Sequence, residues 1–445
     1  WGRWGAVLLC VAGVGMGGCE DEGGGESRGT GRGTKTASGT GTKTASGTGT
    51  GTGTASGTGT ETASETATGD GPEGRASGGK AGPGRAPEGG CAEVGDRAVV
   101  WPRPGAVAVG VHRSGFVVAG HAPGTDEGEE EVFVARVAPQ GRPAPLSRAT
   151  VAPPSDAEHR AAPGLLVDGT RAWVASVDGK GALGVARLDL DRPGAPLRFN
   201  PVAEGADTRF APSLVRIGDG VSIAWVDGQG TPMRVQVTRV DLRGKATSTH
   251  EVTLEAMGAA APVFVDGASS PVLVFIDPRA GMSPIVRVPM GSDGVPRAGR
   301  VALSVGQATE PPHLAAAATP QGVAVAYTAI GSGATTAVGL VQLGAPSRAP
   351  TPLVEGTGYG ALSVAATALP SAALFVAEAP TARDRQASRR LHVRRVDAAG
   401  AGPALALESS TTATRPAVAR RSDGTVVVAF ATEDDVRAAF VRCDE

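Results

Sequence analysis

The stretch Pro163-Gly164-Leu165-Leu166-Val167-Asp168-Gly169-Thr170-Arg171-Ala172-Trp173-Val174-Ala175-Ser176 decides the fold. An apolar run, an Asp-Gly turn and a second apolar run read as a β-hairpin. Six further starts repeat this plan, at Pro104, Pro212, Pro262, Pro312, Ala361 and Pro416, with spacings of 49 to 59 residues. Asp219-Gly220 and Asp423-Gly424 are the matching turns in two of them. The second run carries one aromatic in every repeat: Phe116, Trp173, Trp225, Phe275, Tyr327, Phe375 and Phe430. In a chain of 445 residues with 5 Trp, 2 Tyr and 9 Phe, that recurrence is systematic. The aromatic positions differ in register by a few residues, so they are expected to fill a core rather than to form an exposed cage.

A third run follows with an apolar-Arg-apolar ending, at Arg136, Arg187, Arg239, Arg287, Arg395 and Arg442, with Gln342 in the remaining repeat. Period-two alternation sets this Arg opposite its apolar neighbours, where its stem could fill a crevice between units and its head reach water or an acid. A fourth run precedes each new start, at Pro145 to Thr150, Pro196 to Val202, Thr249 to Leu254, Arg300 to Val305, Thr351 to Val354 and Ala404 to Leu407. Four strands per unit of about 50 residues resembles a β-propeller blade. The resemblance implies an all-β, seven-bladed β-propeller of four-stranded blades; six or eight blades, or tandem sandwiches, are the alternatives.

The seventh repeat has no fourth strand of its own, and Asp96 to Trp101 runs into the first repeat as every fourth strand runs into its successor. Pairing that N-terminal strand beside the third strand of blade 7 would close the ring and leave no open sheet edge at the seam. It would also bring Cys91 close to Cys443, so a disulfide is expected between them.

The first 18 residues read as a signal peptide. Arg3 precedes the apolar run Ala6 to Met16, which is too short to span a bilayer as a helix. The sequence Met16-Gly17-Gly18-Cys19 resembles a bacterial lipobox, which marks Cys19 for lipidation, with Met where Leu is usual. Residues 19–90 then form a Gly/Thr/Ser-rich tether. Such a composition buries too little apolar surface to offset chain entropy, so disorder is expected, with an end-to-end span on the order of 45 Å. The propeller domain is expected over 91–445. Two uncharged stretches, His313 to Ala345 and Gly356 to Ala377, are punctuated by Pro320 and Pro370 and stay in phase with the repeat, so they read as strands rather than membrane spans.

A formal charge of -2, with 42 basic against 44 acidic residues, excludes a polybasic nucleic-acid binder. Three motif matches lack the strand-turn-helix context their chemistry requires: Gly25 to Gly29 (G-x-S-x-G), Gly74 to Ala81 (a near P-loop) and Gly179 to Gly184 (G-x-G-x-x-G). The six histidines are dispersed, at 112, 121, 159, 250, 313 and 392, without zinc-ligand spacing.

Function on such a scaffold belongs to its loops. The loops joining strands two and three, and those joining strand four to the next strand one, share a face in propellers. The candidates they place there are Asp126, Glu129, Asp156, His159, Arg160, Asp227, Asp277, Tyr359, Arg415 and Asp434. A partly acidic rim of this kind could hold Ca²⁺ or a cationic ligand, or could be solvated turn chemistry alone. Sialidase-like propellers resemble this architecture, but Ser422-Asp423-Gly424-Thr425 lacks the spacing and the Trp of their Asp boxes. Tyr359 and Arg415 are the conceivable nucleophile and carboxylate binder of such an enzyme. The expectation is a lipid-anchored, monomeric protein of the bacterial cell envelope, at the outer membrane or surface. Its propeller is read as a non-catalytic binding or scaffolding module for an envelope protein or a glycan, without an obligate cofactor. A glycan hydrolase or lyase and an inert surface component are the alternatives.

Overall fold

The computed structural model describes residues 90–445 except 139, 141, 155–159, 230–232, 253–259, 267–269, 278–281, 331–335, 345–349, 355–361, 381–388, 408–413 and 444–445. The expected leader, the lipidation site Cys19 and the tether lie outside the described residues, as do the candidates Asp156, His159 and Tyr359. The described residues form strands, turns and bends, with no helix among them.

These strands make seven antiparallel sheets, and the fold is a seven-bladed β-propeller. Blades 1 to 6 span 107–151, 164–203, 213–251, 260–306, 314–354 and 364–407. Blade 7 combines 414–443 with strands from 91–101. The first strand of each blade packs against the first strand of the next, and that of blade 7 packs against that of blade 1. Both uncharged stretches resolve into strands in their described parts, including Leu314–Thr319, Gly322–Ile330 and Thr336–Leu343.

The core follows from the second strands. Each is covered on both faces by neighbouring blades, so it is apolar throughout rather than alternating. All seven recurring aromatics are buried there, at 5% exposure or less. Burying a side chain of this size contributes roughly 2 to 3 kcal/mol. In blade 3 the buried Trp225 donates its indole N–H to Thr238 Oγ1 at 3.0 Å.

The seam closes as the sequence implies. Ala98–Trp101 pairs with Val436–Cys443, and so does a second short strand, Cys91–Glu93. Cys91 lies directly across the ladder from Cys443, with Cα atoms 4.0 Å apart, and the two are joined by a disulfide. At the other end of the seam, Trp101 stacks on Phe133 of blade 1 with ring centroids 4.4 Å apart.

Four boundaries differ from expectation. In blade 3 the hairpin turn is Gly218-Asp219 rather than Asp219-Gly220. Ile217 pairs with Gly220, and Gly218 supplies the positive φ of 57° that a two-residue loop needs. The fourth strand of blade 3 starts at Ala246, because Asp241 to Lys245 folds into a tight turn that lets pairing resume at once. In blade 2 the fourth strand begins only at Asn200; Pro196, the expected start, has no N–H to give the ladder. The fourth strand of blade 6 is broken into Gly400–Ala401 and Leu405–Leu407, both paired to Arg389–Asp397.

Candidate functional site

A cavity of about 1050 Å³ occupies the axis of the ring, lined by the first strands of all seven blades. Its deeper wall is Ala, Val, Leu and Pro, with the half-buried Phe264. Its polar residues come from three places: the ends of second strands (His121, Glu378, Thr432), the starts of third strands (Glu130, Arg389) and the entries to first strands (Arg160, Arg209, Arg415). The mouth therefore opens on the face of the two-to-three loops and the connections between blades. The third strand of blade 7 runs from Val436, beside that mouth, to Cys443 at its far end, so the chain enters the propeller at Cys91 on the opposite face.

The densest polar cluster sits at the junction of blades 1 and 2. Arg160 Nε donates to Glu130 Oε1 at 3.1 Å, and its Nη2 lies 2.9 Å from Glu130 Oε2 and 3.1 Å from His121 Nδ1. Nη2 also donates to the carbonyl of Val177. On the other side of the imidazole, Ser176 Oγ lies 3.4 Å from Nε2. All four residues are buried. Burial pushes the His121 imidazole down to about 4 against the opposing pull of Glu130, and burial likewise lowers Arg160.

A second cluster joins blades 6 and 7. Glu378, wholly buried, accepts from Arg389 Nη1 at 2.9 Å and from the backbone N–H of Arg415 at 2.5 Å. Arg415 takes up a left-handed φ of 52° to present that N–H. Burial raises the Glu378 carboxyl above the usual range, opposed by Arg389 and by the hydrogen bonds from Arg415 and Ser363. At the entry to blade 3, Arg209 forks onto Asp207 with contacts of 3.0 and 2.6 Å.

Of the candidate residues, Arg160, Arg415 and the exposed Glu129 line the cavity. Asp126 is exposed in the loop beside Glu129, and its carbonyl accepts the Glu129 N–H. Asp227 accepts the backbone N–H of Gln229, and the exposed Asp434 donates its backbone N–H to Thr432 Oγ1; both shape turns. Asp277 is buried at the end of a second strand, where its N–H bonds to Pro284, and does not line the cavity. Among the described residues no three His, Cys, Asp or Glu side chains converge to hold a metal ion.

His121, Ser176 and Glu130 were not selected by sequence, yet a signal exists. The apolar run of the second strand ends in a polar residue in all seven blades, and six of these are buried, His121, Ser176, Asp277, Thr328, Glu378 and Thr432, with only Asp227 of blade 3 partly exposed. Arg160-Ala161-Ala162-Pro163 and Arg209-Phe210-Ala211-Pro212 are a second recurrence, placing Arg three residues before the strand-opening Pro.

No protein-family model matches the chain, and no curated protein matches it. Solved structures with a similar fold include the BP39L lectin from Burkholderia pseudomallei (15% identity, 78% of this chain and 94% of that one, TM-score 0.49). A protein of unknown function from Dyadobacter fermentans gives 12% identity, 80% and 99% coverage and a TM-score of 0.46. The polysaccharide lyase Uly1 gives 9%, 76% and 89%, and 0.45. At these identities the likeness is one of fold alone.

Proposed function

We propose that the propeller is a non-catalytic binding module whose ligand, a glycan or an envelope polypeptide, occupies the axial cavity. The observation that carries this reading is the proton arrangement at His121. Ser176, His121 and Glu130 have the order of a nucleophile, base and acid, with Ser176 on Nε2 and Glu130 Oε2 3.5 Å from Nδ1. A guanidinium only donates, so Arg160 makes Nδ1 an acceptor and leaves the proton on Nε2. An Nε2–H donates to Ser176 and cannot take its proton, and an imidazole held near 4 is a poor base at neutral pH.

The carboxylates support the same reading. Glycoside hydrolysis uses two carboxyl groups, one to give and one to take a proton. Glu130 and Glu378 at the cavity are instead tied to Arg160 and Arg389. The domain is further proposed to be lipid-anchored through Cys19 in the bacterial cell envelope, with residues 19–90 as its tether; the oxidised Cys91–Cys443 pair suits an exported protein.

Calorimetric titration of the full chain with a glycan panel and with purified envelope proteins, with and without Ca²⁺, tests the reading. Saturable binding without turnover is the expected result, and release of a glycan product would replace it with the hydrolase or lyase alternative. Binding of none of them would leave the inert component. Labelling cells with an alkyne fatty acid should mark the wild type and not Cys19→Ala.

A further inference from the structure

The cluster at the cavity lip contains two mutually exclusive arrangements. In the one present, Arg160 Nη2 lies between His121 Nδ1 at 3.1 Å and Glu130 Oε2 at 2.9 Å. The first contact exists only while Nδ1 keeps its lone pair. A proton added to His121 sets two donors against each other across 3.1 Å. That same proton gives His121 an acceptor, because Glu130 Oε2 lies 3.5 Å from Nδ1. This oxygen is buried and makes no well-aligned hydrogen bond to Arg160 despite their proximity.

We infer that His121 is an acid-driven partner switch: its protonation transfers Glu130 Oε2 from Arg160 Nη2 to His121 and displaces that end of the guanidinium, while Nε keeps its bond to Oε1. Among the described residues, the groups facing His121 are Glu130 from the strand Glu130–Val137, Arg160 from the entry to blade 2, and the uncharged Ser176 from Arg171–Val177. Asp178 acts on Arg160 from beyond that strand. Once His121 is protonated, its Nδ1–H and Arg160 Nη2 compete for Glu130 Oε2 while Oε1 stays with Arg160 Nε, so the two arrangements differ in the partner of that one oxygen.

The consequence is local. Arg160 fixes the chain entering blade 2 through Glu130, His121 and the carbonyl of Val177, and its neighbour Ala161 donates to Thr208 at the entry to blade 3. Losing the Nη2 contacts to His121 and Glu130 Oε2 loosens this entry and turns that end of a buried, paired guanidinium toward the cavity. The switch rests on the reading of the cavity as a binding site only for its purpose, as acid control of what the lip presents; the partner exchange is a property of the cluster itself.

Histidine NMR and hydrogen exchange on the full chain, between pH 7 and pH 3 and corrected for intrinsic exchange rates, test it without any ligand. Protection of the Ala161 N–H, bonded to the Thr208 carbonyl, should fall at least tenfold, reversibly, in step with His121 protonation, while the second strands of blades 4 and 5 keep theirs. His121→Gln, which cannot titrate, should abolish the pH dependence. Glu130→Gln, which removes the carboxylate that receives the protonated ring, should move the transition to lower pH and serves if His121→Gln does not fold. Unchanged protection after His121 has protonated, or the same fall in His121→Gln, overturns the switch. Because no ligand enters the experiment, its failure leaves the binding reading standing, and an empty binding screen leaves the switch standing.

Discussion

Arg187, on the third strand of blade 2, donates Nη1 to the main-chain carbonyl of Leu242 in blade 3 at 3.1 Å. Arg136 of blade 1 makes the same kind of bond to the carbonyl of Leu190 in blade 2, and Arg239 of blade 3 to that of Asp293 in blade 4. In blades 1 to 3 the recurring Arg is thus a fastener between blades, reaching the turn between the third and fourth strands of its successor. A carbonyl in a turn has no ladder partner, and a long charged donor with an apolar stem can cross the crevice to reach it.

Arg187→Ala should therefore cost about 1 kcal/mol, at the low end for a charged hydrogen bond because the head is solvated. Arg187→Met should recover only the packing share. Chemical denaturation with a shared m-value checks both; equal stabilities of wild type and alanine variant would remove the fastener role.

The disulfide joins residues 352 positions apart, so it constrains almost the whole propeller. By loop entropy it contributes roughly 5 kcal/mol, with measured values often smaller. Non-reducing peptide mapping should recover a Cys91–Cys443 peptide. Cys443→Ser should lower the unfolding midpoint and raise hydrogen exchange in Cys91–Glu93 before other strands.

Two hairpin glycines should respond differently to the same substitution. Gly115 has a φ of 148°, and a Cβ there would lie 2.5 Å from the Val137 carbonyl oxygen. Gly169 has a φ of 61° with open space around it. Gly115→Ala should cost on the order of 3 kcal/mol, while Gly169→Asn should cost less than about 1 kcal/mol, because Asn tolerates the left-handed region. Thermal unfolding of the two variants measures the contrast.

His121 and Glu378 should tilt the pH dependence of stability in opposite directions. The folded His121 is held to about 4, below its unfolded value of 6.5, so the unfolded chain binds the extra proton. Its contribution is complete above pH 6.5 and lost as pH falls toward 4, on the order of 3 kcal/mol at most. Glu378 is raised in the fold, so the folded chain binds the proton more tightly and this group's penalty lessens as pH falls. His121→Gln should flatten the acid limb of the stability curve and Glu378→Gln should steepen it; the reverse pairing would contradict both burial arguments.

Legibility differed by element for a physical reason. The second strands were plain because each is sandwiched between blades and therefore continuously apolar, as in Phe116 to Ala119 or Val426 to Ala429. The outer strands were blurred at their ends because one edge meets solvent, and pairing there stops wherever a turn or proline dictates, as at Asn200 and Ala246. At the site, loop order alone puts Arg160, Glu129 and Arg415 on one face, and all three line the cavity. Asp277 reads as a loop carboxylate but lies buried as a strand-terminal residue, because a lone charge after an apolar run looks the same whether it leaves the core or closes it.

By itself the sequence determined seven repeats, the order of strands within each and the expected meeting of Cys91 with Cys443, while the closing of seven sheets into one ring was left to the tertiary structure. These depend on alternation and turn chemistry, which act over a few residues, multiplied by a repeat. The tertiary structure alone decided that His121, Glu130, Arg160 and Ser176 form one network and that Arg160 dictates where its proton sits. Those residues come from four separate segments, and their convergence is set by blade twist and loop path, which no local pattern encodes.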